Sequence, residues 1–149
     1  MAIGDSYQGG KVAYIDGTNI HGLIAATADQ VSSEWGCYGT AISGADGTAI
    51  GTGNQNTIDI MAGCATAGIA ARVCGDLVEG GYSDWYLPSK DELNQLYINR
   101  TAIGGFTTDF YWSSSEGTAT LAWKQYFPNG YQVDNKKTNA AYVRAVRAF

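Results

Sequence analysis

Residues 122–129 constrain the fold of this chain more tightly than any other stretch. The run Ala122-Trp123-Lys124-Gln125-Tyr126-Phe127 alternates in character, and Asn129-Gly130 follows almost at once. Successive residues of a strand point to opposite sides of a sheet, so Trp123, Gln125 and Phe127 share one side while Lys124 and Tyr126 share the other. Two large aromatic rings mark the first side as inward. Asn-Gly is the dipeptide that best tolerates positive φ in a tight hairpin turn, so the chain from Tyr131 onward is expected to return antiparallel. Lys124 and Tyr126 are then expected in solvent beside the returning strand. An ordinary amphipathic hairpin with a wet outer face explains the same pattern.

The surrounding segment, residues 111–149, mixes two kinds of position. Tyr111-Trp112-Ser113-Ser114-Ser115-Glu116, Ala122-Trp123, Gln125, Phe127, Gly130, Lys136 and the closing Val143-Arg144-Ala145-Val146-Arg147-Ala148-Phe149 read as framework. Between them stand Thr118, Thr120, Leu121, Lys124, Tyr126, Pro128, Tyr131, Val133, Asp134, Asn135, Lys137, Thr138, Asn139 and Tyr142, which share no chemical logic. Such a patchwork suits a ligand-binding face and not a catalytic one. Tyr126, Tyr131 and Tyr142 are the expected anchors, because tyrosine presents a large, stiff, amphipathic surface at small entropic cost. Lys124, Asn135 and Lys137 would add polar contacts, and Trp112, Trp123 and Phe127 would belong to the core.

The 149 residues fit one domain, residues 1–149, able to bury a core without metal or disulfide scaffolding. Twenty glycines, ten tyrosines and four tryptophans against two prolines indicate a turn-rich fold with much aromatic surface, not a helical bundle. The net charge is −5, and the nine lysines and arginines form no basic run, which argues against nucleic acid as a partner. No apolar run approaches the roughly 20 residues that span a bilayer, so membrane insertion is not expected, and the amino terminus lacks signal character.

Cys37, Cys64 and Cys74 form no C-x-x-C pair, and the one histidine, His21, stands far from them, so no metal site or cofactor is expected. Cys64 and Cys74 fall in what reads as one helix, where ten residues rise about 15 Å, too far for a disulfide. Cys37 can pair with either, and buried free thiols acting as small hydrophobes are the alternative.

Along the chain, residues 11–15 and 21–26 flank Asp16-Gly17 and read as a β-hairpin. Ile60, Cys64, Ala67, Ala71, Cys74 and Val78 step by four and three, which predicts one helix capped by Asn56 or Thr57 and ended by Gly80-Gly81. Ser89 and Glu92 in Leu87-Pro88-Ser89-Lys90-Asp91-Glu92-Leu93 have the spacing of a capping box and announce a second helix. Capping explains the paired carboxylates Asp91 and Glu92 without invoking acid–base catalysis. Two helices among strands indicate an α+β fold.

Gly81-Tyr82-Ser83-Asp84-Trp85-Tyr86-Leu87-Pro88-Ser89, Tyr111-Trp112-Ser113-Ser114-Ser115, Ala122-Trp123, the closing Val143-Arg144-Ala145-Val146-Arg147 and the opening Tyr7-Gln8-Gly9-Gly10-Lys11 resemble the Lcl C-terminal-like domain family. That resemblance implies a C-type-lectin-like fold, with two helices and a mostly antiparallel sheet, in a surface adhesin or phage binding protein. It implies a protein or glycan ligand, an extracellular, cell-surface or virion location and a homotrimer. The tail also resembles the variable region of retroelement-diversified C-type lectin proteins, which implies that the mixed positions named above are sites of diversification. Phe127-Pro128-Asn129 stands where calcium-dependent lectins of this fold carry Glu-Pro-Asn or Gln-Pro-Asn, and no Trp-Asn-Asp occurs, so a calcium-bridged sugar site is not expected. An enzyme of the related sulfatase-activating type is the rival reading, but nothing around the three cysteines reproduces its chemistry, and a purely structural virion or surface domain is the third. With one histidine and no nucleophile elbow or phosphate loop, the chain is read as non-enzymatic.

Overall fold

The hairpin read at the amino terminus forms as expected. In the computed structural model, which describes residues 1–149, β1 (Ser6–Tyr7), β2 (Gly10–Ile15) and β3 (Gly22–Ala25) run antiparallel, and β9 (Val146–Ala148) closes the sheet in the order β1-β2-β3-β9. Pairing of Leu23 with Ala148 joins the amino-terminal hairpin to the carboxy-terminal strand. Gly10 and Gly22 sit where a Cβ would strike the neighbouring strand backbone, at Ala25 O and Tyr14 O, so both positions admit no side chain.

A second sheet has the order β4-β8-β5-β6-β7, from β4 (Gln30–Ser33), β5 (Phe110–Glu116), β6 (Leu121–Tyr126), β7 (Gln132–Lys136) and β8 (Ala141–Val143). Its pairings are antiparallel except that β8 runs parallel to β5. The expected return at Asn129-Gly130 occurs: Gly130 takes φ +82°, Gly130 N donates to Tyr126 O at 2.7 Å, and β7 pairs with β6 from Gln132 to Lys136.

Four helices lie against these sheets: α1 (Gly53–Gly63), α2 (Ala70–Gly75), α3 (Lys90–Ile98) and α4 (Arg100–Ile103). The fold is α+β and its strand pairing mostly antiparallel, but the expected two-helix C-type-lectin-like arrangement is not what forms: the chain has four helices and two separate sheets. The long helix expected over residues 57–79 is two. At Cys64 the backbone turns extended (φ −138°, ψ 108°), and Gly68 enters the left-handed region at +74°. Cys64 thereby leaves the helix and bonds Cys37, while Cys74 stays a free, buried thiol. The step of four and three survived the break because Ile60, Cys64, Ala71 and Cys74 all pack into one core, whereas Val78, at its end, is 72% exposed.

Nor do Asn56 and Thr57 cap α1; Thr52 holds that position without a side-chain bond. They work inside the core instead. Asn56 Nδ2 donates to Gly47 O and Ser114 Oγ at 2.7 and 3.2 Å, and Thr57 Oγ1 accepts from Leu87 N at 3.1 Å. The capping box of α3 forms as read: Glu92 N donates to Ser89 Oγ at 3.3 Å, and Ser89 N donates to Glu92 Oε1 at 2.8 Å.

The core has two parts. Trp35, Trp85 and Trp112 pack with α1, α2 and the inner side of the second sheet, while Tyr111, Phe127 and Val146 pack with Leu93 and Leu96 of α3. No helix is long and apolar enough to cross a membrane.

Candidate functional site

The sheet register sorts the carboxy-terminal residues into two sides. Cross-strand partners share a side, so Phe110, Trp112, Lys124, Tyr126, Val133 and Asn135 stand together, and Tyr111, Trp123, Gln125, Gln132 and Asp134 lie opposite. The second side is covered by α3. Lys90 Nζ lies 3.8 Å from the Trp123 ring centroid, and Gln125 Nε2 donates to Asn94 Oδ1 at 2.8 Å. Trp123, expected in the core, is therefore only half-buried; Trp112 and Phe127 are core as read.

The first side corrects the expectation for Lys124. Its neighbour Ala122 is fully buried, and Lys124 itself is 7% exposed, with Nζ 4.1 Å from the Phe110 ring centroid and 5.8 Å from that of Trp112. Strand alternation could not reveal this, because both sides of β6 carry covered residues. A lysine stem lies readily on an apolar surface while its head seeks water. No carboxylate is within ion-pair distance of this head. Desolvation holds its pKa below the usual lysine range, partly opposed by the charge of Asp109. Tyr126 is half-buried, its ring 4.7 Å from that of Phe110.

The other expected site residues scatter. Tyr131 is 59% exposed and stands with exposed Pro128 at the hairpin tip. Thr118, Thr138 and Asn139 are exposed at the opposite end of the β6–β7 ribbon, about 17 Å away by strand rise, with half-buried Thr120 and Leu121 beside them. Val133 and Asn135 flank Lys124 and are half-buried, whereas Asp134 is on the α3 side. Tyr142 is half-buried, its ring 5.8 Å from Tyr111.

Lys137 is the clearest departure. It is fully buried, its Nζ bonded to Glu116 Oε2 at 2.7 Å and Thr40 O at 3.0 Å, above the Trp35 ring at 4.6 Å. No ligand reaches it. The structure thus brings together Lys124, Tyr126, Val133 and Asn135, and adds two residues that the sequence reading passed over, Phe110 and Asp109. Phe110 was legible in principle, since it stands two residues before Trp112 on the same side of a strand.

The closing arginines serve the scaffold. Arg144 donates to Asp29 Oδ1 at 2.8 Å and to three backbone carbonyls, those of Ala26, Gly104 and Gly105. Tyr111 Oη donates to the other oxygen of Asp29 at 2.7 Å, and burial pushes the Tyr111 hydroxyl above the ordinary tyrosine range, so it stays a donor. Arg147 grips both oxygens of Asp84 and holds that carboxyl below the usual range. No cluster of three or more His, Cys, Asp or Glu is placed to hold a metal ion.

The framework that builds this sheet matches the model of the Lcl C-terminal domain over residues 30–147. The chain belongs to the Lcl C-terminal domain family. No curated protein sequence matches it. Among solved structures, it is similar to a fimbrial protein from Bacteroides ovatus, with a TM-score of 0.67 at 14% identity, over 98% of this chain and 48% of that one. The Lcl C-terminal domain described here thus spans about half the length of that fimbrial protein, and what the two share is the fold. The solved fold that this chain resembles is therefore that of a fimbrial protein, with four helices and two sheets on this chain's side of the match.

Proposed function

We propose that this domain is a non-catalytic recognition module of a bacterial surface adhesin, which grips a protein partner on the Phe110–Lys124–Tyr126–Val133 side of the second sheet. Lys124 carries the reading. Its stem is covered, and its ammonium, still open to water, lies beside the Phe110 ring with no anionic partner; a ligand that covers it would have to bring a carboxylate or carbonyl group to replace that water. Phe110, Tyr126 and Val133 offer apolar area around it, and Tyr131 extends the surface at the hairpin tip. Tyrosine is among the residues enriched in energetic hot spots, and Tyr126 and Tyr131 supply it here.

The fimbrial fold likeness supports a place on the cell surface, and the Cys37–Cys64 disulfide supports an oxidising compartment. Thr118, Pro128, Tyr131, Thr138 and Asn139 are exposed and outside the core, so their replacement would disturb the scaffold little.

The purified domain is to be probed against an array of immobilised extracellular-matrix proteins, serum proteins and glycans, alongside Lys124→Met and Tyr131→Ala. The expected result is a protein signal that Lys124→Met reduces tenfold or more with no loss of melting temperature. Equal signals from wild type and Lys124→Met would overturn the assignment of this side as the ligand face.

A further inference from the structure

A pocket of 490 Å³ opens beside the hairpin tip, between the segment that follows α4 and the turn that follows β6. Phe106, Phe127 and Pro128 give it an apolar part, the two rings 4.8 Å apart. Arg100 is the one charged residue in its lining. The guanidinium is held from one side: Nη1 donates to Tyr97 O at 2.8 Å, and the group lies 4.1 Å from the Tyr97 ring centroid. Its Nε and Nη2 bond no protein group, and no carboxylate lies within ion-pair distance of it.

The rest of the lining is rich in free donors and poor in free acceptors. The N–H groups of Gly105, Phe106 and Thr108 and the hydroxyls of Thr101 and Thr108 bond no protein group. The carbonyls that would balance them are taken, because fully buried Arg144 donates to Gly104 O at 3.1 Å and to Gly105 O at 2.7 Å. The carboxylates next to this segment are engaged elsewhere. Asp29 accepts from Arg144, Tyr111 and Thr107, and Asp109 accepts from Phe110 N at 2.7 Å. Free donors around an oriented, unpaired guanidinium are complementary to an anion. A single positive charge, on a chain of net charge −5, suits a monoanion better than a dianion. The two free N–H groups at Nε and Nη2 lie in one plane and match the two oxygens of a carboxylate.

We infer that this pocket takes a carboxylate, presented by an aspartate or glutamate side chain of the protein partner. Its oxygens bond Arg100 Nε and Nη2, and its stem lies against Phe106 and Pro128. The pocket meets the ligand face at Pro128, which stands with Tyr131 at the hairpin tip. The polypeptide source rests on the reading of that face as one that grips a protein, whereas the carboxylate rests on the pocket alone.

The test is an amide-resolved NMR titration of the intact chain with Nα-acetyl-glutamate methylamide and Nα-acetyl-aspartate methylamide. Nα-acetyl-glutamine methylamide serves as the uncharged isostere, methyl glucuronide carries the carboxylate on a sugar, and inorganic phosphate supplies a dianion. The inference expects saturable shifts at Gly104, Gly105, Phe106 and Thr108 with the two acids, and at least tenfold weaker binding of the glutamine derivative. Arg100→Gln should weaken the acids at least fivefold, and Arg100→Lys, which keeps the charge without the planar fork, at least twofold. Lys124→Met should leave the titration unchanged, so failure of the Lys124 face and failure of this pocket are read separately. No saturable shift with either acid, equal binding of the glutamine derivative, tighter binding of phosphate, or an Arg100→Gln variant that binds like wild type would each overturn the inference. A Lys124→Met variant that binds the acids more weakly would move the carboxylate to the Lys124 side and overturn it too, and tighter binding of the glucuronide would overturn the polypeptide as its source.

Discussion

Lys137→Met separates a buried strut from a ligand contact. Lys137 is fully buried, and its ammonium joins Glu116 to the carbonyl of Thr40 above Trp35. Methionine fills much of the stem volume but removes the charge, leaving Glu116 with the Ile42 N–H at 2.8 Å as its remaining donor. Removing one partner of a buried pair destabilises by about 3–5 kcal/mol. Glu116 keeps that donor, and its side chain is 10% exposed, so the lower end applies, about 3 kcal/mol. For a chain of this length that lowers the melting temperature by about 6–12 °C. Thermal unfolding followed by near-ultraviolet circular dichroism measures it, and the double variant Lys137→Met/Glu116→Gln should recover part of the loss, because no uncompensated charge then remains. A melting temperature within a degree of wild type for Lys137→Met would refute the reasoning and return Lys137 to the surface.

Lys124→Met should behave oppositely, leaving stability equal or raised at neutral pH. The folded state holds the Lys124 pKa below its unfolded value, so the unfolded chain binds the extra proton, and wild-type stability relative to the variant should rise as pH climbs through the folded pKa toward about 10.4; urea unfolding of both proteins at pH 7 and 10.5 tests the sign, and a wild type that loses stability relative to the variant at the higher pH refutes it. Replacing Cys37 and Cys64 by alanine opens a loop with a sequence separation of 27 and should destabilise by about 3–4 kcal/mol, read as a lower urea midpoint; an unchanged midpoint would mean that the bridge does not constrain the unfolded chain. Ser89→Ala removes the hydroxyl that accepts Glu92 N and should cost about 1 kcal/mol in the same assay; no change would show that the capping box is dispensable.

Local chemistry made part of this architecture legible. Ser89 and Glu92 announced α3 because a capping box is satisfied by residues three apart, and Asn129-Gly130 announced the return of β7 because the turn needs positive φ. The break between α1 and α2 was hidden, since it is imposed from outside the segment: Cys37 draws Cys64 out of the helix, and a Cβ on Gly36 would lie 2.5 Å from Ile69, so this turn packs tightly on the junction. A stripe of apolar residues reports that a segment faces the core, not that its helix is continuous. The two-helix expectation failed at the same place, and again at α4, where four residues carry too little periodicity to be read.

For the ligand face the limit was burial. Lys137 looked like any surface lysine because its partner, Glu116, is 21 residues away and the ring beneath it, Trp35, is further still. Lys124 was placed on its correct side of β6, and only the position of Trp112 and Phe110 in the adjacent strand shows that this side is half-covered. Tyr131, Thr138 and Asn139 were readable as exposed because turns lie at the surface.

The most direct measurement is the change in amide and Lys124 side-chain NMR signals when the domain binds a protein partner captured on the array. Recognition through the second sheet predicts the largest shifts at Phe110, Lys124, Tyr126 and Val133, with the Lys124 ammonium protected from exchange on binding. Shifts confined to other surfaces, with the Lys124 signals unmoved at saturation, would contradict it.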